Sequence, residues 1–259
     1  MTNGMPADST PDPEPKPIAG VLVIDKPLGP TSMDCCRRVK AALRRAGFPK
    51  TIKVGHGGTL DPLASGVVVV LVGKATRLCD AVMAGTKVYE ADVDLAHRSV
   101  SSDLETPPEP APVASTPTQD DVAKGCLAMT GWIEQVPPAH SAVWVEGRRA
   151  YALARAGEAV DLKARRVRID AIELLEYAWP IARLRITCGK GTYIRSLARD
   201  LGSALGAGGM LRGLRRTRVG EWDITRAIRL DALPRELTID MLTPVDVPPR
   251  TRGDDAAAN

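Results

Sequence analysis

Residues 55–66 read GHGGTLDPLASG. Three glycines in four positions, Gly55, Gly57 and Gly58, permit backbone angles closed to other residues and let a second molecule's backbone approach closely. Pro62 removes an N–H and pushes Asp61 toward extended geometry. Asp61 is thereby expected on a stiff loop between a flexible turn and the apolar run Val67 to Val72, a buried strand. Two readings fit this spacing: a single carboxylate presented to a substrate, or an Asx-type turn residue beside a phosphate-cradling glycine loop. The loop lacks the Gly-Lys-Ser/Thr of a Walker motif.

Working outward, Val21-Leu22-Val23-Ile24 predicts a short strand, ended by Asp25-Lys26-Pro27 and Gly29-Pro30. Thr31 or Ser32 can cap a helix from Met33 to Ala46, closed by Gly47. Residues 86–96, 166–175 and 181–188 predict strands, and 104–118 a Pro/Ser/Thr-rich loop. Thr118 with Asp121 can open a helix to Thr130. Further helices are expected over 147–156 and 194–205. The order shows no βαβ rhythm, which favours an α+β class. The proline-rich residues 1–18 and residues 247–259 are expected to be disordered tails flanking one domain, 19–246.

Composition narrows the function classes. The 259 residues suffice for a sizeable core, and with 3% aromatics and a single Phe that core must be aliphatic. The longest apolar run is too short to cross a membrane, and the start does not read as a secretory signal. Five scattered cysteines, Cys35, Cys36, Cys79, Cys126 and Cys188, with no CxxC pair read as idle thiols of a reducing, cytoplasmic setting. Three distant histidines argue against a metal site. The net charge is +4, unevenly spread: residues 190–218 hold seven basic residues against one acid, and 148–168 seven against two. Clustered arginine suits a polyanion such as RNA, or a set of solvated faces.

At this point GHGGTLDPLASG resembles the catalytic motif of the TruB family of tRNA pseudouridine synthases, usually GHTGTLDPLATG. Further matches follow in order: GVLVIDKPLGPTS from Gly20, Lys87-Val88-Tyr89, CGKGTYIRSLARDLG at 188–202, and Leu214-Arg215-Arg216-Thr217. Together they span residues 20–245. The resemblance implies the pseudouridine synthase fold, a mixed and mostly antiparallel sheet with flanking helices and a cleft across its middle. It implies conversion of uridine-55 in the TΨC loop of tRNA to pseudouridine by a monomer. Asp61 matches the essential aspartate, and Arg195 the arginine that pairs with it. Tyr89 matches the tyrosine that stacks on the target base, Leu214 an apolar wall of the uracil pocket, Tyr193 a second aromatic, and His56 a histidine that contacts the RNA. Arg148, Arg149, Arg215 and Arg216 are expected to grip the RNA backbone.

The implied reaction breaks N1–C1′, turns the uracil and rejoins it through C5, so no metal, nucleotide or redox cofactor is needed. A carboxylate can serve as nucleophile at C1′ or as base at C2′. Three segments depart from the family pattern. Gly57 replaces a Thr or Ser, which is expected to loosen the loop. In 137–151, His140 and Trp144 replace an aromatic and a lysine. The stretch LAHRSVSSDLE (95–105) differs but retains Asp103. There is also no room expected for the small C-terminal RNA-binding domain of many relatives, which implies weaker RNA affinity or reliance on the catalytic domain alone. Competing functions are an RNA-binding or RNA-folding protein on the same scaffold with catalysis weakened or lost, and a carboxylate-dependent hydrolase. The latter would need a divalent ion.

Overall fold

The computed structural model describes residues 18–141, 143–145 and 147–248. The expected tails, apart from Ile18, Val247 and Pro248, lie outside the described residues. The chain begins with β1 (Ala19–Lys26), α1 (Ser32–Arg45), β2 (Val54–His56), β3 (Ser65–Gly73), α2 (Cys79–Ala84) and β4 (Lys87–Asp94). Two short hairpin strands, β5 (His97–Arg98) and β6 (Glu109–Pro110), precede α3 (Gln119–Ala128) and β7 (Gly131–Gln135). A second small hairpin, β8 (Trp144–Val145) and β9 (Arg148–Arg149), runs into α4 (Ala150–Arg155). The remainder is β10 (Arg165–Ala178), β11 (Ile181–Cys188), α5 (Ile194–Ala204), β12 (Met210–Val219), β13 (Trp222–Asp223), β14 (Ile228–Arg229) and β15 (Thr243–Pro244).

One sheet organises these elements, in the order β14-β1-β3-β12-β4-β11-β10-β7, with β2, β13 and β15 at its margins. Most pairs are antiparallel; β1–β14 and β12–β3 are parallel. The class is therefore α+β with a mixed sheet, as expected. The two halves of the sheet are buried differently, and the sequence shows why. Strands β1 and β3 are apolar on both faces. Leu22, Ile24, Val68, Val70 and Val72 pack with Cys35, Val39 and Leu43 of α1 on one side. Val21, Val23, Val67, Val69 and Leu71 pack with Val219 and Trp222 on the other. A strand covered twice reads as a continuous apolar run. In the other half, β4, β10 and β11 alternate. Val93, Ile169, Leu184 and Ile186 meet Val122 of α3 and Leu197 and Leu201 of α5, while the opposite positions stay polar.

Local chemistry fixes the helix starts. Thr31 and Asp34 form a reciprocal capping box on α1, and Thr118 and Asp121 the same on α3. The helix expected at 147–156 is shorter, because Arg148 and Arg149 belong to a hairpin strand and only 150–155 coil.

Strand β12 joins the halves. It pairs with β4 over Met210–Val219 and with β3 through two positions, Arg215↔Ser65 and Arg216↔Gly66. Gly66 has φ +106°, and a Cβ there would lie 2.1 Å from the Arg216 carbonyl oxygen. Only glycine permits this approach. Because β3 begins at Ser65, the Asp61–Ala64 turn lies beside residues of β12 that have no strand partner on that side. The joint thus leaves a notch in the middle of the sheet.

Candidate active site

The turn carrying Asp61 is braced from several directions. Ala64 N–H donates to the Asp61 carbonyl at 3.0 Å. The Ser32 hydroxyl, at the start of α1, accepts from Leu60 N–H at 2.8 Å and donates to the Leu60 carbonyl at 3.2 Å. Lys26, fully buried, donates to the carbonyls of Ala64 at 2.5 Å and Pro27 at 3.0 Å. Burial pushes its pKa down, and the charge of Asp61 pushes back up.

Arg216 is the strongest brace, and it corrects an expectation. It was expected to grip RNA phosphates. Instead it is 2% exposed, and its guanidinium donates to the carbonyls of Val67 (2.8 Å), Thr59 (3.0 Å) and Gly58 (3.1 Å). A planar fork of donors ties the glycine loop to β3, and the burial of the side chain keeps it from the surface a phosphate would reach. Gly57 also differs from its expected role. It is buried, its N–H donates to the Val69 carbonyl at 2.9 Å, and a Cβ there would meet Val82 Cγ1 at 2.3 Å. Val82 fills the space that a larger residue would take, so the loop is packed rather than loose.

Arg195 enters from the first turn of α5. It is 5% exposed, yet reaches the half-exposed Asp61: Nη2 donates to Oδ2 at 3.0 Å. The same nitrogen donates to the His140 carbonyl at 2.9 Å, and Nη1 to the Ser101 carbonyl at 3.4 Å. Nε stands 3.5 Å from Oδ2 of Asp103, a buried carboxylate. One guanidinium thus bridges two carboxylates, one exposed and one buried. Asp103 sits on a tight serine-rich turn in which Ser102 has φ +59°. The sequence showed Asp103 only as a retained residue; its place behind Arg195 could not be read from it. His140, unusual for the family pattern, contributes its backbone carbonyl to this network.

Tyr89 on β4 and Leu214 on β12 each pack against both of the cores flanking the notch. Both are half-buried. Burial raises the Tyr89 phenol pKa; Arg216 opposes this and the charge of Asp61 adds to it, placing the ring within electrostatic reach of both. Tyr89 and Leu214 thus stand between the two cores, with the Tyr89 ring in electrostatic reach of the Asp61 that Arg195 holds.

The other candidate residues lie around this group. His56, on β2, is half-buried and its Nδ1 has no hydrogen-bond partner among the described residues; burial first, then the Arg216 charge, lowers its pKa. Tyr193 caps α5, its N–H donating to Oε1 of buried Gln135 at 2.8 Å, with Arg165 stacked 4.7 Å from its ring centre. Arg148 is paired with Glu158 at 2.9 Å, and Arg149 lies over Trp144 at 4.0 Å. Arg215 reaches Asp25 at 2.8 Å.

A mixed sheet with flanking helices, in which β12 meets β3 through only two positions, has the fold of a pseudouridine synthase. Residues 44–194 match the model for the TruB family pseudouridylate synthase N-terminal domain, and 195–245 that for the tRNA pseudouridylate synthase B C-terminal domain. The chain belongs to the TruB family. It is 47% identical over 205 residues to a tRNA pseudouridine synthase B of Parabacteroides distasonis, covering 79% of this chain and 87% of that one. It is also 47% identical over 228 residues to that of Thermobifida fusca, covering 85% and 76%. Among solved structures, a chain of a Cbf5–Nop10–Gar1 complex superposes with a TM-score of 0.62 at 31% identity, covering 82% of this chain and 52% of that one. A chain of an H/ACA RNP bound to a substrate RNA containing 2′-deoxyuridine gives 0.59 at 30% identity, covering 82% and 51%. The protein spans about half the length of these two structural relatives.

Proposed function

We propose that this protein converts uridine-55 in the TΨC loop of tRNA to pseudouridine, with Asp61 as the catalytic carboxylate. The observation that carries the reading is the Asp61–Arg195 pair at 3.0 Å, set in the notch beside Tyr89 and Leu214. The names of the curated relatives support tRNA as the substrate, and the RNA-bound structural relative supports an RNA.

The target uracil leaves its stack, at a cost of about a few kcal/mol, and enters the cleft. Stacking on the Tyr89 ring offsets roughly 1–3 kcal/mol of this, and Leu214 closes the apolar wall. Asp61, ionised and held by Arg195, either attacks C1′ as the N1–C1′ bond breaks or removes the C2′ proton to give a glycal. Both routes release uracil with its electron pair on N1. The base turns and C5 bonds to C1′, which expels the Asp61 carboxylate from C1′ in the first route and takes the proton back to C2′ from Asp61 in the second; the C5 proton then leaves as N1 gains one. Atoms and electrons balance within the nucleotide, so the chemistry requires no cofactor. Asp103 holds the far side of the Arg195 guanidinium and keeps its fork aimed at Asp61.

Pseudouridine formation in an unmodified tRNA transcript, in EDTA, with wild type and Asp61→Asn, tests the reading. Wild type converts position 55. The variant binds the tRNA but converts it at least about a hundredfold more slowly, the low end of what one positioned acid–base group contributes. Binding without conversion by wild type would leave an RNA-binding protein on this scaffold and overturn the enzymatic reading.

A further inference from the structure

The arginine-rich stretches that stand out in the sequence are partly neutralised in the fold. Arg148 pairs with Glu158, Arg155 with Glu105, Arg168 with Asp170, Arg212 with Asp94 and Arg215 with Asp25, all between 2.6 and 2.9 Å. Arg216 is buried. A basic run with no acidic residue inside it lies elsewhere. From Arg37 to Lys53 the chain carries seven basic residues, Arg37, Arg38, Lys40, Arg44, Arg45, Lys50 and Lys53, and no acidic one. Of these only Arg37 has a carboxylate partner among the described residues, Asp34. Arg38, Arg44 and Arg45 donate to the backbone carbonyls of Leu230, Lys50 and Arg235. A carbonyl orients a guanidinium without cancelling its charge.

These residues share one surface. The buried positions of α1 are Ser32, Cys35, Cys36, Val39, Ala42 and Leu43. Arg37 and Arg44, and Arg38 and Arg45, stand seven apart, two turns along the opposite, exposed face. The surface continues into an open groove of about 470 Å³ whose wall includes Pro49 and Ile52 and whose cations are Lys53, Lys74 and Arg77. Helix α1 meets the Asp61 turn at one end only. The N-terminal Ser32 of α1 holds the Asp61 turn through Leu60, while the 14-residue helix carries its far end about 21 Å along its axis.

We propose that this α1–β2 face is a second RNA-backbone surface, gripping phosphates of the same tRNA outside the loop that holds the target uridine. The proposal rests on the reading that tRNA is the substrate. A band of lysine and arginine with a single half-buried aromatic, Phe48, suits phosphates rather than bases. Its length exceeds what one flipped nucleotide and its neighbours occupy. The face therefore distinguishes a whole folded tRNA from an isolated stem-loop.

The test compares wild type with the quadruple variant Arg44→Gln, Arg45→Gln, Lys50→Gln and Lys53→Gln. A second variant, Arg44→Lys, Arg45→Lys, Lys50→Arg and Lys53→Arg, keeps the charge. Binding of full-length tRNA and of the isolated T-arm stem-loop is measured against salt, with conversion at saturating RNA. The neutralised variant binds full-length tRNA at least about tenfold more weakly, and its salt slope is reduced by about 3, near 0.7–0.9 per lost phosphate contact. Its stem-loop affinity and saturated conversion rate match wild type, and the charge-keeping variant behaves as wild type throughout. Unchanged tRNA affinity overturns the proposal. So does an equal loss for tRNA and stem-loop, which would make the face part of the target-loop contact. A loss confined to anionic phosphatidylserine vesicles would assign the face to a membrane surface instead. If wild type binds both RNAs but converts neither, the catalytic reading fails while the binding comparison still stands.

Discussion

Replacing Arg216 with methionine separates its two possible roles. The methionine fills much of the volume but donates nothing to Val67, Thr59 and Gly58. A hydrogen bond from a charged group contributes roughly 1.5–3 kcal/mol. The Val67 carbonyl lies in a fully buried strand residue and loses its partner outright. Gly58 is half-exposed and Thr59 exposed, so water replaces most of those two bonds. The sum is a destabilisation of about 3–4 kcal/mol, which for a domain of this size lowers Tm by roughly 6–15 °C. The loop that presents Asp61 also loses its tie to β3, and a misplacement on the order of 1 Å can cost about a hundredfold in rate. Thermal unfolding, tRNA affinity and single-turnover conversion are measured together. The expected pattern is a lower Tm, conversion slowed about ten- to a hundredfold, and tRNA Kd within about twofold of wild type. Arg216→Lys keeps the charge but not the fork, and is expected to fall nearer to methionine than to wild type. Lost tRNA affinity with Tm and conversion unchanged would refute the reasoning and return Arg216 to the RNA backbone.

Gly57→Thr is expected to destabilise by about 1–3 kcal/mol through overpacking against Val82. Adding Val82→Ala should restore part of that in a double-mutant cycle of chemical denaturation, and strictly additive effects would refute the pairing. Gly66→Ala, at φ +106° and against the Arg216 carbonyl, should leave little folded protein by circular dichroism. Cys35, Cys126 and Cys188 have thiol pKa values pushed up by burial to about 11, and Cys36 to about 12, whereas Cys79 is half-exposed. Titration with a thiol reagent at pH 8 should thus find one reactive thiol in the native protein and five after denaturation. For His56 the folded pKa is depressed by burial and by Arg216, so the unfolded chain takes up the proton first. Its contribution to stability is full above about pH 6.5 and falls as pH drops from there toward the depressed folded value. The Tm of His56→Gln should decline less than that of wild type across that window.

Much of the first half-sheet was legible. The valine runs of β1 and β3, the Thr-x-x-Asp boxes of α1 and α3, and the alternation in β10 and β11 are local signals with local causes. Strand β12 escaped notice because LRGLRRTRV lacks alternation: Arg216 points inward, and three carbonyls satisfy its donors. The same inward turn removes Arg216, and Arg216 alone, from the basic residues that 212–218 offers to RNA. Asp61 was singled out by its loop, but its pairing with Arg195, 134 residues away, came through the motif resemblance alone. No spacing rule links positions that distant. Asp103 was harder still, since its role depends on a guanidinium already engaged on its other side.

The two-residue joint between β12 and β3 also constrains how such an enzyme can be improved. Selection for heat resistance favours longer ladders, because each added rung satisfies backbone groups and stiffens the sheet. Here further rungs along β12 would grow into the space beside Asp61. The most direct route to a sturdier molecule therefore closes the opening on which its chemistry depends. Thermostable descendants should carry their gains in the two cores and at the helix caps, and leave that seam short.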